Sequence, residues 1–464
     1  STAGPRRAGV GGPGFVAALG PAYHSPVSKT RALFVAASAA LLLALFVVLP
    51  GMGADERDKD GKEALYRPLG LFTEVLGLVR SNYVEPTELK PLLAGSFAGM
   101  TEAMDPFSEY VPPDKMAAFS AFEAAKEKRE ILDTGIVLAR RFGFPVVVAA
   151  VAGSPAAAAG VRSDDVIEKI DGVLTRSMAL WELESRLSGK AGGRVHLEVV
   201  RDGKPRHRTF DIVRANWTPS APSAERIDGE TVIRIPAFVP GTTAALKDIL
   251  KPLDRTRPLV LDLRSSATGS FDEAVRAAAL FVPAGPLGEL SGRRIETKTF
   301  RSEPGERVHE SRLVLLVDSG TAGPAELFAA AVRDAGTRDA GATLVTADRK
   351  KTNAEDPDAP EAFDPGTDAS KEGEKMKLAV RLVGEPTVGM GFTAQVVKLA
   401  SGGSLKLSVG KIRTVAGKAL CPRGLQPDDR VYHGPDDTGG RLDPILQRGL
   451  KVLSESAIRA KAAA

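Results

Sequence analysis

Apolar residues recur along this chain with three different periods, and each predicts a different kind of element. The first is an unbroken run, Ala32 to Leu49, reading ALFVAASAALLLALFVVL, 18 residues without a charge. At about 1.5 Å rise per residue it reaches just across a hydrocarbon core of about 30 Å. Arg6, Arg7, Lys29 and Arg31 precede it, and Asp55, Glu56, Arg57 and Asp58 follow. That asymmetry predicts a short cytoplasmic tail at 1–31, a transmembrane anchor at 32–49, and a main body in the periplasm, held to a bacterial inner membrane by a single pass. Small residues at Gly51-Met52-Gly53-Ala54 keep an alternative open, cleavage as a signal peptide followed by secretion.

After a linker at 50–64 the period becomes helical. Leu69, Leu71, Phe72, Val75, Leu76, Leu78 and Val79, then Leu89, Leu92, Leu93, Phe97 and Met100, predict two helices in a region at 65–117. Asn82 to Pro86 breaks them, and Asp105-Pro106 ends the second. From residue 133 strand-like runs take over, at 135–138, 145–150, 165–170 and 194–200, with one helix near 179–187, predicting a small β-rich domain at 118–212. Beyond the Pro/Ser-rich link at 219–222, strands at 231–235, 259–263 and 312–317 alternate with helices at 242–253, 271–280 and 325–334. This alternation predicts a layered α/β body at 213–464. A stretch at about 341–375, dominated by Asp, Glu, Lys, Pro and Ala, has little to bury and reads as a polar insertion.

Composition narrows the chemistry. The formal net charge is only +4, because acids nearly balance the bases, so there is no electrostatic footprint for nucleic acid. A single cysteine, Cys421, excludes an intrachain disulfide and a Cys-based metal cluster. The five histidines, His24, His196, His207, His309 and His433, form no HExxH or HxH arrangement. The expectation is no metal site and no cofactor.

Several phrases, each weak alone, fall in one order: Asn82-Tyr83-Val84, Asp105-Pro106-Phe107-Ser108-Glu109-Tyr110, Gly153-Ser154-Pro155-Ala156, Leu261-Asp262-Leu263-Arg264, Gly384-Glu385-Pro386-Thr387, and Gly424-Leu425-Gln426-Pro427-Asp428. Together they resemble the carboxyl-terminal processing proteases, also called tail-specific proteases, over about residues 65 to 460. The resemblance implies a PDZ domain inserted between the N-terminal helices and an α/β core of the ClpP/crotonase-like type. It also implies recognition of apolar protein C-terminal tails in the PDZ groove, cleavage by a Ser-Lys dyad, and assembly through the N-terminal helices and Pro444 to Ala460. A tail can add as a strand while backbone amides hold its carboxylate, here near Gly135, Ile136 and Val137.

The chain departs from the family at the dyad. Where the family reads Gly-(Ser or Thr)-Ala-Ser-Ala-Ser-Glu, this sequence reads Gly320-Thr321-Ala322-Gly323-Pro324-Ala325-Glu326. The nucleophile position is Gly323, which has no side chain. The base position is Met390, whose thioether accepts no proton at neutral pH, and the orienting glutamine position is Ala394, with Gln395 one place later. The oxyanion turn keeps Gly269 but has Thr268 for the first of its paired glycines, and Pro324 has no N–H to donate.

Three readings remain open. The joint loss at Gly323 and Met390 motivates a non-proteolytic relative, a scaffold or regulator that binds protein C-terminal tails or an envelope protein, an active paralogue included. A working serine-type endopeptidase would need Ser319 or Thr321 as nucleophile and a relocated base such as Lys398, Lys350 or Lys351. An architectural envelope protein would have its PDZ groove closed.

Overall fold

The computed structural model describes residues 56–141, 143–201, 207–339, 380–432 and 443–463. Contacts divide the chain into two units, up to Glu88 and from Leu89 onward. The first contributes helix α1 (Glu56–Asn82), whose Leu69, Leu71, Val75 and Leu78 are exposed.

The second unit opens with α2 (Leu89–Met104), strand β1 (Glu109–Val111) and α3 (Met116–Glu127). A six-stranded sheet follows, built from β2 (Ile136–Arg141), β3 (Phe144–Ala150), β4 (Val166–Ile170), β5 (Val173–Leu174), β6 (Arg194–Val200) and β7 (His207–Val213). Its order is β2-β3-β4-β6-β7, with β5 on β4. Alternation sets its faces: Val195, Leu197 and Val199 of β6 point into the core. Helix α4 (Pro155–Ala159) starts at Ser154, whose hydroxyl accepts from Ala157 N, and stops at Gly160 in the left-handed conformation. Helix α5 (Leu180–Leu187) closes the core by burying Leu180, Leu183 and Leu187, spaced along one helical face.

The remaining residues form the α/β body. Its sheet runs β17-β14-β13-β10-β9-β8, from β8 (Ser223–Ile227), β9 (Glu230–Arg234), β10 (Leu259–Asp262), β13 (Leu313–Val317), β14 (Val380–Gly384) and β17 (Asp429–Arg430). All pairs in it are parallel except β8 with β9. Helices α6 (Thr242–Leu250), α7 (Phe271–Ala278) and α8 (Pro324–Asp339) bury residues in one apolar cluster with this sheet, and α9 (Pro444–Ala463) supplies Ile445, Leu446, Val452 and Leu453 to another. Strand β13 is therefore buried at every residue and reads as a continuous apolar run. A separate antiparallel sheet joins β1, β16 (Ser404–Arg413), β11 (Gly285–Ser291) and β12 (Lys298–Ser302), with β15 (Phe392–Lys398) also on β16.

Two expectations are corrected. The body is not of the ClpP/crotonase-like type: its parallel sheet is accompanied by an antiparallel sheet that takes β1 from residues ahead of the inserted β-domain. Alternating strands and helices dictate layering only, which different folds share. The single-pass inner-membrane topology, with its membrane contact and periplasmic body, is also withdrawn. Among the described residues no helix is long and apolar enough to cross a membrane. The run at 32–49, the tail before it and the insertion at 341–375 lie outside the described residues.

Candidate functional site

Strand β13 delivers the chain into a tight turn, Asp318 to Gly323, before α8 begins. The buried Asp318 organises it: its Oδ1 accepts from Ser265 N at 2.9 Å and Gly320 N at 3.0 Å. Thr321 Oγ1 accepts from Asp318 N and lies 3.0 Å from both Leu263 O and Asp318 Oδ1, so its single proton already has acceptors in the turn. Ser319 Oγ donates to Asp164 Oδ2, a carboxylate that Arg141 Nη1 approaches to 2.7 Å.

At Gly323 the backbone is left-handed, φ 57°, and a Cβ placed there would meet only Met390 O, at 3.7 Å. The turn's amides are engaged: Ala322 N donates to Ser266 O at 2.9 Å and Gly323 N to Glu326 Oε2 at 2.8 Å. Glu326 also receives Gly389 N at 2.7 Å, Met390 N at 2.8 Å and the Thr387 hydroxyl. It is fully buried. Desolvation pushes its carboxyl up to about 7, while the bonds from Thr387, Gly389, Gly323 and Met390 pull the other way. Sequence reasoning passed over this residue, although a Glu three places beyond a turn glycine has the spacing of a capping box.

Met390, Val388 and Phe392 pack against a buried apolar cluster of Phe107, Ala139, Val148, Ala149, Ala267 and Ala322, and Phe392 stacks on Phe107 with centroids 4.6 Å apart. Ala139, Val148 and Ala149 belong to β2 and β3, so the inserted domain sits directly on the turn. Ser163 Oγ lies 3.3 Å from Ser265 Oγ, at the same contact.

A profile for peptidase family S41 matches residues 231–346, and a PDZ domain profile matches residues 146–201. The chain is 25% identical over 399 residues to a carboxy-terminal-processing protease of Bartonella bacilliformis, covering 83% of this chain and 81% of that one. It is 24% identical over 396 residues to the carboxy-terminal processing protease CtpA of Bacillus subtilis, covering 81% and 74%. Among solved structures, a photosystem II D1 C-terminal processing protease superposes with a TM-score of 0.55 at 22% identity, over 81% of this chain and 90% of that one. In sequence and in structure the chain matches the carboxy-terminal-processing peptidases of family S41. Its fold resembles that family's protease-plus-PDZ architecture, which replaces the ClpP/crotonase-like expectation.

Within this carboxy-terminal-processing fold the residues singled out by sequence are placed as follows. Gly323 and Met390 come together, bridged by Glu326. Ala394, Gln395 and Lys398 are exposed on β15, and Lys350 and Lys351 lie outside the described residues. Gly269 has φ 124°, and a Cβ there would stand 2.1 Å from Phe238 O, so only glycine fits; Thr268 O accepts from Phe238 N at 3.0 Å. In the PDZ domain, Gly135 is buried with its N–H donating to Asp133 Oδ1 at 2.7 Å, while Ile136 and Val137 open β2 half-buried. Strand β2 ends its sheet, and Val137 packs onto the cluster over the turn.

Proposed function

We propose that this chain is a non-proteolytic member of the carboxy-terminal-processing family, binding a partner protein's C-terminal tail through its PDZ domain as a scaffold or regulator. The observation that carries the reading is the turn at Gly323. It offers no nucleophile, its amides at 322 and 323 are engaged, and Pro324 has none. Acyl transfer needs a hydroxyl, a base to take its proton, and free donors for the oxyanion. Thr321 is sealed in its brace, and the hydroxyl of Ser319 faces a carboxylate paired with Arg141, not an amine.

The test is a cleavage time course on an unstructured substrate with an apolar C-terminal tail, comparing the natural chain with the Gly323→Ser, Met390→Lys double variant. The expected result is no cleavage by the natural chain. Activity in the double variant would add that the scaffold still supports chemistry, since a Cβ at 323 has room, with only the left-handed backbone resisting it. Cleavage by the natural chain that Ser319→Ala or Thr321→Ala abolishes would overturn the reading.

A further inference from the structure

The outward face of the PDZ sheet carries chemistry for which tail recognition has no use. We propose that Glu168, Glu198 and His207 form a binding site for a divalent transition-metal ion of the Zn2+ type. Three adjacent strands converge there. Strand β6 sends Val195, Leu197 and Val199 inward, which leaves Glu198 on the outer face. Strand β7 pairs His207 with Val200 and Thr209 with Glu198, so His207 lies diagonally across from Glu198 on that face. Strand β4 pairs Lys169 with Glu198 and shifts register between Ile167 and Lys169, releasing Glu168 from strict alternation.

One donor atom from each of the three residues lies within 4.8 Å of the other two. Glu168 Oε2 stands 2.7 Å from His207 Nδ1. Yet this oxygen is shut off from solvent and makes no hydrogen bond of acceptable geometry. A buried carboxylate oxygen without a well-aimed hydrogen-bond donor is left with a lone pair that a cation can take. An ion bonded at about 2.0–2.2 Å to each donor holds tetrahedral ligands roughly 3.3–3.6 Å apart, so the Glu168–His207 pair must open slightly from 2.7 Å while Glu198 adjusts within 4.8 Å of both, movements that rotation of the two glutamate side chains supplies. One imidazole with two carboxylates suits Zn2+ or its first-row neighbours better than Mg2+ or Ca2+, which prefer oxygen alone.

Lys169 is the competitor. Its Nζ bonds Glu198 Oε2 at 2.8 Å. The ammonium therefore already holds one of the three ligands, and an ion must compete with it for Glu198.

The experiment titrates the full chain with ZnCl2, and separately with MgCl2, reading heat and the 1H–13C imidazole signals. The chain has only five histidines, so His207→Ala assigns the signal of interest. The expected result is a His207 signal that shifts to completion near one equivalent of Zn2+. His207→Ala and Glu198→Gln should each weaken binding by at least about tenfold, and Lys169→Met should tighten it severalfold. A far-ultraviolet melt of each variant checks that the PDZ domain still folds. A His207 signal unmoved by Zn2+, equal affinity in natural chain and His207→Ala, or Mg2+ binding as tightly as Zn2+ would each overturn the proposal.

Discussion

Glu326 does more to hold the turn together than Gly323 or Met390. Its two oxygens collect four donors, three of them from residues 61 to 64 positions further along the chain, which is why its role cannot be seen in the sequence. Gly323 and Met390, by contrast, could be read directly, because absence of a side chain or of an amine is a property of the residue itself. Glu326→Gln turns one acceptor into an N–H donor facing other N–H groups, and urea unfolding should show a loss of about 2–4 kcal/mol. The pH dependence has a definite sign. The folded carboxyl titrates near 7, above its ordinary 4.5, so the folded chain holds this proton more tightly than the unfolded chain. The Oε1 proton has an acceptor in Thr387 Oγ1, which can donate or accept. Glu326's contribution is therefore complete below about 4.5 and fades as pH rises through about 7, by about 3 kcal/mol at full size. Melts between pH 4.5 and 8 should show this slope in the natural chain and lack it in Glu326→Gln. Gly269→Ala should cost more than about 2 kcal/mol, because its Cβ would collide with Phe238 O and the left-handed backbone resists it.

Elements with a clear period were legible in the sequence, and those defined by distant partners were not. The alternation in β6 and the apolar runs of β10 and β13 mark them as strands at once. Strand β1 is three residues long and exists because Glu109 to Val111 pairs with Ser404 to Lys406 of β16, some 300 residues away. No local pattern encodes such a pairing. A bulge between β2 and β3 also explains how the PDZ domain serves two cores at once: Val147 faces its own cluster, whereas Val148, skipped in the pairing, and Ala149 both join the cluster over the turn. Val148→Asp should therefore place an unpaired charge between PDZ domain and body while sparing the PDZ core. Hydrogen exchange should speed up about tenfold or more at Ala322 and along β2, while β6 stays protected; this corresponds to about 1–3 kcal/mol for a poorly satisfied polar group. Unchanged exchange at Ala322 would mean that the cluster contributes little to holding the two together.

At the scale of the molecule, the PDZ domain has two uses for one strand. Strand β2 ends its sheet, where a tail would add, and it is also the strand whose Val137 and Ala139 rest on the site of Gly323 and Met390. Met390 joins the apolar packing and favours the docked arrangement. Tail binding that requires β2 to lift from the cluster pays for that release, and apparent affinity falls by the fraction of molecules already released. Fluorescence anisotropy with a labelled peptide ending in apolar residues measures this directly. The natural chain should bind more weakly than Val148→Asp, by about tenfold if release costs about 1.4 kcal/mol. Amidating the peptide's terminal carboxyl should weaken binding to both, because the loop at Gly135 to Val137 then loses its anion. If Val148→Asp binds no better than the natural chain, docking and tail binding use separate surfaces. If amidation changes nothing, the groove reads a segment of chain and not its end, and the search for partners turns to internal sequences.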